Sequence, residues 1–135
     1  MKMEWDAKLE TGVELIDNQH KEVCRLVNLV LDHEQEVKTE DTLKFLGDYV
    51  VRHFADEEAL QAGSHYPGLA EHKTLHIDFI KVFLDLKARV ENAKTEDDRE
   101  IAAMSLNSAL VEWLGNHIMI YDRRFTDWYK ANPPA

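Results

Sequence analysis

His53-Phe54-Ala55-Asp56-Glu57 is the stretch of sequence that decides both the fold and the chemistry of this chain. A histidine and a glutamate four residues apart lie on one face of a helix, with their Cβ atoms about 5–6 Å apart. Fifteen residues after Glu57 comes a second pair with the same spacing, His72 and His76. Two pairs of strong metal ligands on two neighbouring helices predict a metal held inside a helical bundle.

Length, composition and charge restrict the class of protein. The 135 residues are one domain by length, residues 1–135, and are enough to bury a core. Few Gly and Pro residues, five and three, favour helix over sheet. The net charge of -10 argues against nucleic acid and anionic membranes as partners, because both repel an acidic surface.

The sequence also predicts a cellular location. Residues 1–6 contain no apolar segment typical of a signal peptide. No apolar run approaches the roughly 20 residues that a membrane span requires. The single cysteine, Cys24, has no partner for an internal disulfide. We therefore expect a cytoplasmic protein that does not enter a membrane.

Apolar residues recur at helical spacing and predict an all-α, up-down-up-down antiparallel four-helix bundle with an irregular N-terminal arm. The second helix shows this best, with steps of three and four between Leu43, Leu46, Val50, His53, Glu57 and Leu60. We expect an arm over residues 1–15, helices over about 17–37, 40–62, 69–92 and 96–118, and a tail over 123–135.

Residues with capping chemistry mark three of the expected helix ends. Asp17 is suited to cap the start of the first helix. Gly63 suits the position just after the second helix. Thr95 and Asp98 resemble a capping box at the start of the fourth helix.

Each predicted helix carries a histidine or carboxylate where its period requires a core residue: His20, His53 with Glu57, His72 with His76, and His117. A lone inward histidine is more often an ordinary core residue than a ligand. Burying one unpaired polar group costs about 1–3 kcal/mol. A domain stable by about 5–15 kcal/mol therefore needs a compensating partner for so many. In an antiparallel bundle all these positions fall at the same end, so they converge at one level of the core.

Asp122 is a further candidate ligand, five residues after His117. In a regular helix this spacing places the two residues about 140° apart, on different faces. If both are ligands, the chain must leave α-helical geometry between Ile118 and Tyr121. Otherwise Asp122 is a solvated surface carboxylate, and the spacing alone leaves both interpretations open.

The donor set restricts the metal. Histidine nitrogens together with two carboxylates suit iron, copper, nickel or zinc better than calcium or magnesium. Seven side chains are too many for one ion that keeps an open position. Two metal ions bridged by carboxylates are the economical solution.

On these residues the chain resembles the single-domain bacterial hemerythrins. The family pattern is a histidine in the first helix, then HxxxE, HxxxH and HxxxxD, and all four parts are present here. Neighbouring residues also match, including Ile16-Asp17-Asn18-Gln19-His20-Lys21, Tyr66-Pro67 and Trp113-Leu114-Gly115-Asn116-His117-Ile118. The resemblance covers roughly residues 5–129.

The resemblance implies a non-haem di-iron centre, with two iron ions bridged by carboxylates and an oxo or hydroxo group. One iron would be held by His72, His76 and His117, the other by His20 and His53, and both by the bridging Glu57 and Asp122. The iron with two histidines would keep an open position for dioxygen, held as hydroperoxide. The surrounding apolar pocket would be lined by Val23, Phe54, Trp113 and Leu114.

The function implied by this resemblance is reversible dioxygen binding for storage, delivery or scavenging, with dioxygen as the partner and no enzymatic turnover. One alternative is a module that senses oxygen, redox state or nitric oxide through an unnamed protein partner. Another is a di-iron enzyme with peroxidase or nitric oxide reductase activity. Ferritin-like oxidases use Glu-x-x-His steps, which this chain lacks.

A few residues depart from the family pattern or fall outside it. Gln61 follows the bridging glutamate by four residues, where the family often has methionine. Cys24 stands one turn after the first-helix histidine, either as a small buried hydrophobe or as a thiol that affects the pocket. We expect His33 and His65 to be solvated and Trp5 to pack on the bundle.

Overall fold

A computed structural model describes residues 2–32 and 38–133 of the chain. Four long helices are joined by short connections: α1 (Glu14–Leu29), α2 (Thr39–Gly63), α3 (Leu69–Glu91) and α4 (Glu96–His117). A π-helical turn, Ile118–Asp122, follows α4 directly and is called here the π segment; α5 (Arg123–Ala131) continues from it. The described residues contain no strand, so the expected all-α four-helix bundle is confirmed.

Each long helix packs mainly against its neighbours in the chain, and α1 also packs against α4. This closed ring of contacts is that of an up-down-up-down bundle. The core contains fully buried apolar side chains from the helices, among them Val27, Leu43, Leu106 and Leu110. Each such side chain contributes about 1.5–3 kcal/mol by leaving water. None of the helices in the described ranges has both the length and the apolar character to cross a lipid bilayer.

The first helix is shorter than expected and begins earlier. It ends at Leu29 rather than near residue 37, and the chain turns through hydrogen bonds such as that from the Asp32 N–H to the Leu29 carbonyl, 3.2 Å. Val30 stays buried beyond the end, so the apolar stripe continues after the helix has stopped. Residues 33–37, including His33, lie outside the described residues.

Asp17 does not cap α1, which starts at Glu14. Its buried carboxylate accepts hydrogen bonds from the N–H and hydroxyl of Thr11, at 2.9 and 2.7 Å, and from the N–H of Gly12, at 3.0 Å. Gly12 has φ +86°, a conformation that glycine adopts without steric cost. The irregular arm is therefore fixed to the first turn of α1.

The end of α2 also differs from the expectation. Gly63 is still helical, and His65 instead takes the left-handed conformation, with φ +60°. The Tyr66 N–H donates to the Gln61 carbonyl at 2.9 Å, and the His65 N–H donates to the Ala62 carbonyl at 3.2 Å. This pair of bonds is a Schellman motif. His65 is exposed, as expected, but it also terminates the helix.

The expected tail over residues 123–135 is helical as far as Ala131. Phe125 is fully buried and packs on the Tyr66 ring, with ring centroids 4.9 Å apart. On the other side, the Lys130 ammonium donates to the Thr11 carbonyl at 2.7 Å. Residues 123–132 contain no Gly or Pro, so the helix continues until it has closed this end of the bundle.

Candidate metal centre

The structure brings all seven candidate ligands together, buried at one end of the bundle. They form two groups whose ligand atoms lie within 4.8 Å of one another. The first group contains Glu57, His72, His76, His117 and Asp122, and the second contains His20, His53, Glu57 and Asp122. The two carboxylates belong to both groups.

Three imidazole nitrogens of the first group converge on one point. The Nε2 of His117 lies 3.2 Å from the Nε2 of His76 and 3.2 Å from the Nε2 of His72. Metal–nitrogen bonds of about 2.1 Å at right angles place neighbouring ligand atoms about 3 Å apart. The three nitrogens therefore have the spacing of ligands to one ion.

Each carboxylate directs one oxygen to each group. Glu57 places Oε1 2.5 Å from the Nε2 of His72 and Oε2 3.5 Å from the Nε2 of His53. Asp122 places Oδ1 3.0 Å from the Nε2 of His117 and Oδ2 3.0 Å from the Nε2 of His20. This is the arrangement of carboxylates that bridge two positive centres.

The π segment explains how Asp122 reaches the site. The backbone leaves α-helical geometry over Ile118–Asp122, where a departure was expected on the hypothesis that His117 and Asp122 are both ligands. Widening this one turn brings Asp122 onto the same face as His117, and the Asp122 side chain is 1% exposed. The interpretation of Asp122 as a solvated carboxylate is therefore wrong. π-Helical turns of this kind are frequent at functional sites.

Hydrogen bonds behind the ligands orient two of the imidazoles. The Nδ1 of His53 lies 2.7 Å from the Gln19 Oε1, and the Gln19 amide donates to Asp56 at 2.7 Å. The Nδ1 of His76 lies 2.8 Å from the Glu58 carboxylate. When Nδ1–H donates in this way, the Nε2 lone pair is free for a metal.

Reasoning from the sequence assigned no role to Gln19, Asp56 and Glu58. Each lies within a few residues of a ligand, and this proximity was the available signal. It does not show which neighbour faces which imidazole, because Gln19 on α1 serves a histidine on α2. That pairing depends on how the helices pack.

Burial favours the neutral, metal-binding form of two histidines. It lowers the pKa of His53 to about 3, and the neighbouring His20 acts in the same direction. It lowers the pKa of His76 to about 2, with His72 as the next cause. Both imidazoles therefore offer a lone pair at neutral pH.

The two carboxylates have opposite electrostatic surroundings. Burial, and then the charge of Asp122, raise the pKa of Glu57 well above its usual range. Burial also acts to raise the pKa of Asp122, but His117 and other imidazoles outweigh it and hold that pKa well below its usual range. Burial acts to lower the pKa of His72, yet the bonds to Asp122 and Glu57 raise it to about 9. Among the described residues, imidazoles are the groups that offset the negative charge of the two buried carboxylates.

Buried polar atoms without hydrogen bonds are a further reason why metal ions fit this donor set. Several buried atoms of the site have no hydrogen bond of good geometry within the described protein: both nitrogens of His20, both oxygens of Glu57 and of Asp122, and Nδ1 of His117. Coordination would satisfy the ligand atoms among them. Imidazole and carboxylate donors suit first-row transition metals.

Apolar side chains enclose the ligands. The Phe54 ring stacks on the His76 ring at 3.7 Å and 5°, and Trp113 stacks on the His117 ring at 4.4 Å and 12°. The other two predicted pocket residues, Val23 and Leu114, are buried in the same apolar core. On the other side the Trp5 ring, partly buried, lies 6.4 Å from the His20 ring.

Cys24 lies one turn after His20 and is buried at 4% exposure. Burial raises the pKa of its thiol to about 11. The thiolate is the reactive form, so its fraction near neutral pH is reduced by about a hundredfold. The environment therefore favours the role of a small buried hydrophobe.

We expect Cys24 in the folded protein to react with an aromatic disulfide reagent at least about a hundredfold more slowly than after denaturation. The burial that raises its pKa also blocks access. The released chromophore measures the rate near neutral pH, with the guanidinium-unfolded chain as control. Rapid labelling of one thiol per folded chain would contradict this expectation.

Comparison with known proteins agrees with the geometry. A family model described as the hemerythrin HHE cation binding domain matches residues 11–129. The chain is 32% identical to a bacteriohemerythrin of Pseudomonas paraeruginosa, over 91% of this chain and 78% of that protein. It is 30% identical to a bacteriohemerythrin of Clostridium acetobutylicum (91% and 98% covered) and 29% identical to a myohemerythrin of Theromyzon tessulatum (90% and 89%). A cluster of seven buried candidate ligands and a match over nearly the whole chain lead to one conclusion: this protein belongs to the hemerythrin family.

Proposed function

We propose that this protein binds dioxygen reversibly at a non-haem di-iron centre. The observation that carries the proposal is a pair of imidazole groups that share two carboxylates inside an apolar core. In this proposal one iron is held by His72, His76 and His117, the other by His20 and His53, and both by Glu57 and Asp122. When bound, iron supplies the electrons and the binding position for dioxygen.

The unequal number of imidazoles supports a binding role. One group has three and the other has two, so an ion in the second group has fewer protein ligands. Metal sites that take up an external ligand keep such an open position. In this proposal the open position lies on the side formed by His20 and His53, where the Trp5 ring is 6.4 Å from the His20 ring.

The apolar surroundings support reversible binding over turnover. Phe54 and Trp113 stack on the imidazoles of His76 and His117 and cover these rings with apolar surface. A dry site also keeps out water and protons, which promote side reactions of reactive oxygen species. The residues thus hold the ions, orient the imidazoles and exclude solvent.

The test is a visible spectrum through cycles of aeration. Protein loaded anaerobically with ferrous iron is expected to contain two iron ions per chain, to gain colour in air and to lose it under argon. Zinc-loaded protein is the control and should stay colourless. Conversion in a single exposure to an oxidised spectrum that argon does not reverse would contradict the proposal.

A further inference from the structure

Gln61 is an unusual residue for the end of a bundle helix. It is fully buried at 0% exposure, and neither its amide nitrogen nor its amide oxygen has a hydrogen-bond partner within the described protein. Outside the ligands, the described residues leave such buried atoms only in Gln61, Arg99 and Asn107. Arg99 Nε lies 3.3 Å from the Glu40 carboxylate, far from the ligands in sequence. An unpaired buried amide is costly, so Gln61 requires an explanation.

The position of Gln61 points to Glu57. The two residues are four apart on α2 and are both buried, so they share one face of the helix. Side chains on a helix lean toward its N-terminus, which directs Gln61 toward the turn that carries Glu57. Both Glu57 oxygens lack a hydrogen bond of good geometry. An amide with two unpaired donor hydrogens thus lies one helical turn from a carboxylate whose oxygens are also unpaired.

The backbone of Gln61 is held in place. Its carbonyl accepts hydrogen bonds from the Tyr66 N–H at 2.9 Å and from the Ser64 hydroxyl at 3.2 Å. The Schellman motif therefore fixes the last turn of α2. The Cα of Gln61 is thus fixed one helical turn after Glu57.

We propose that Gln61 is a positioning residue for Glu57, and that in the metal-loaded protein its amide donates a hydrogen bond to the Glu57 carboxylate, directly or through one water. This bond fixes the plane of the carboxylate, so that Oε1 stays beside His72 and Oε2 beside His53. The inference rests on the proposed function only in that the site holds two cations. It does not depend on dioxygen.

An apolar side chain of similar volume, such as methionine, would fill this space without burying an amide. A purely structural role for residue 61 therefore favours methionine over glutamine. A positioning role predicts that Gln61→Met binds metal more weakly, whereas a purely structural role predicts unchanged metal affinity.

The experiment measures cobalt(II) affinity by chelator competition and, separately, denaturant unfolding of metal-free protein. Gln61→Met is expected to weaken cobalt(II) binding about 10–100-fold, the effect typical of losing a hydrogen bond to a metal ligand. The metal-free variant is expected to be at least as stable as the parent. The visible d–d spectrum of bound cobalt should also change, since the carboxylate is no longer held.

Asn107→Leu is the matched control. Asn107 is a buried amide on α4 that donates to the Val27 carbonyl at 3.2 Å and also has one unpaired atom, Oδ1. Its replacement is expected to change stability and to leave cobalt(II) affinity unaltered.

Unchanged cobalt(II) affinity in Gln61→Met would overturn the inference. A loss of affinity accompanied by a destabilised metal-free protein would overturn it as well, because the loss would then follow from a disturbed fold. Neither measurement uses dioxygen. The inference about Gln61 can therefore fail or hold independently of the proposed reversible oxygen binding.

Discussion

Glu57→Gln is expected to leave a folded chain that can no longer hold two metal ions. The carboxylate faces both imidazole groups, and a neutral amide offers one weak oxygen ligand in place of two charged ones. Losing an outer residue that orients a ligand costs about 10–100-fold in metal affinity, so losing a shared ligand should cost more. Iron per chain after removal of loose metal should fall from two to one or less, and the oxygen-dependent colour should disappear.

Glu57→Gln should weaken metal binding but raise the stability of the metal-free protein. The folded-state pKa of Glu57 is raised, so its contribution to stability is present below the unfolded pKa and is lost as pH rises through the folded pKa. Glu57→Gln removes this loss, and the metal-free variant should be more stable than the parent at neutral and higher pH. Glu71→Gln, an exposed position beside His72, is the control. Retention of two iron ions by Glu57→Gln would refute the bridging role.

Phe54→Ala is expected to lower the free energy of unfolding by about 3–5 kcal/mol and to shorten the lifetime of the oxygen adduct. The ring is 3% exposed, stacks on His76 and contacts the edge of Phe79 at 5.6 Å. Its removal opens space beside the ligands that water can enter. Denaturant titration measures the first effect, and decay of the adduct absorbance measures the second.

Phe83→Ala separates the two effects. Phe83 is also a buried aromatic, stacked on Phe79 at 6.2 Å, but it has no ring contact with a ligand. The Phe83→Ala variant should lose about as much free energy of unfolding as Phe54→Ala, but its oxygen adduct should live as long as that of the parent protein. Equal lifetimes in the two variants would mean that the Phe54 ring does not protect the site.

Local spacing explains why much of the site was predictable. His53 with Glu57, and His72 with His76, share helix faces for reasons contained in a single turn, and antiparallel topology places the two pairs at one level. The role of Asp122 stayed undecided, because a residue five positions after His117 faces the same site only if the backbone departs from α-helical geometry. No local residue preference shows such a departure in advance.

The features that sequence reasoning missed depend on distant parts of the chain. Asp17 resembles an N-cap, yet its carboxylate binds Thr11 and Gly12 because the arm folds back on α1. His65 carries the left-handed conformation expected near Gly63, because the helix runs past the glycine. The last helix is held in place because Phe125 packs on the Tyr66 ring. This contact exists only once the bundle has assembled.

The π segment has a consequence for the end of the chain. α4, the π segment and α5 form one continuous rod with an extra residue accommodated in a single wide turn. If that turn tightened to α-geometry, every later residue would rotate about the rod axis, by about 100° for one residue. Phe125 would then leave the core that it closes. A cation that bound Asp122 would therefore also keep α5 in its rotational position, with Phe125 in the core.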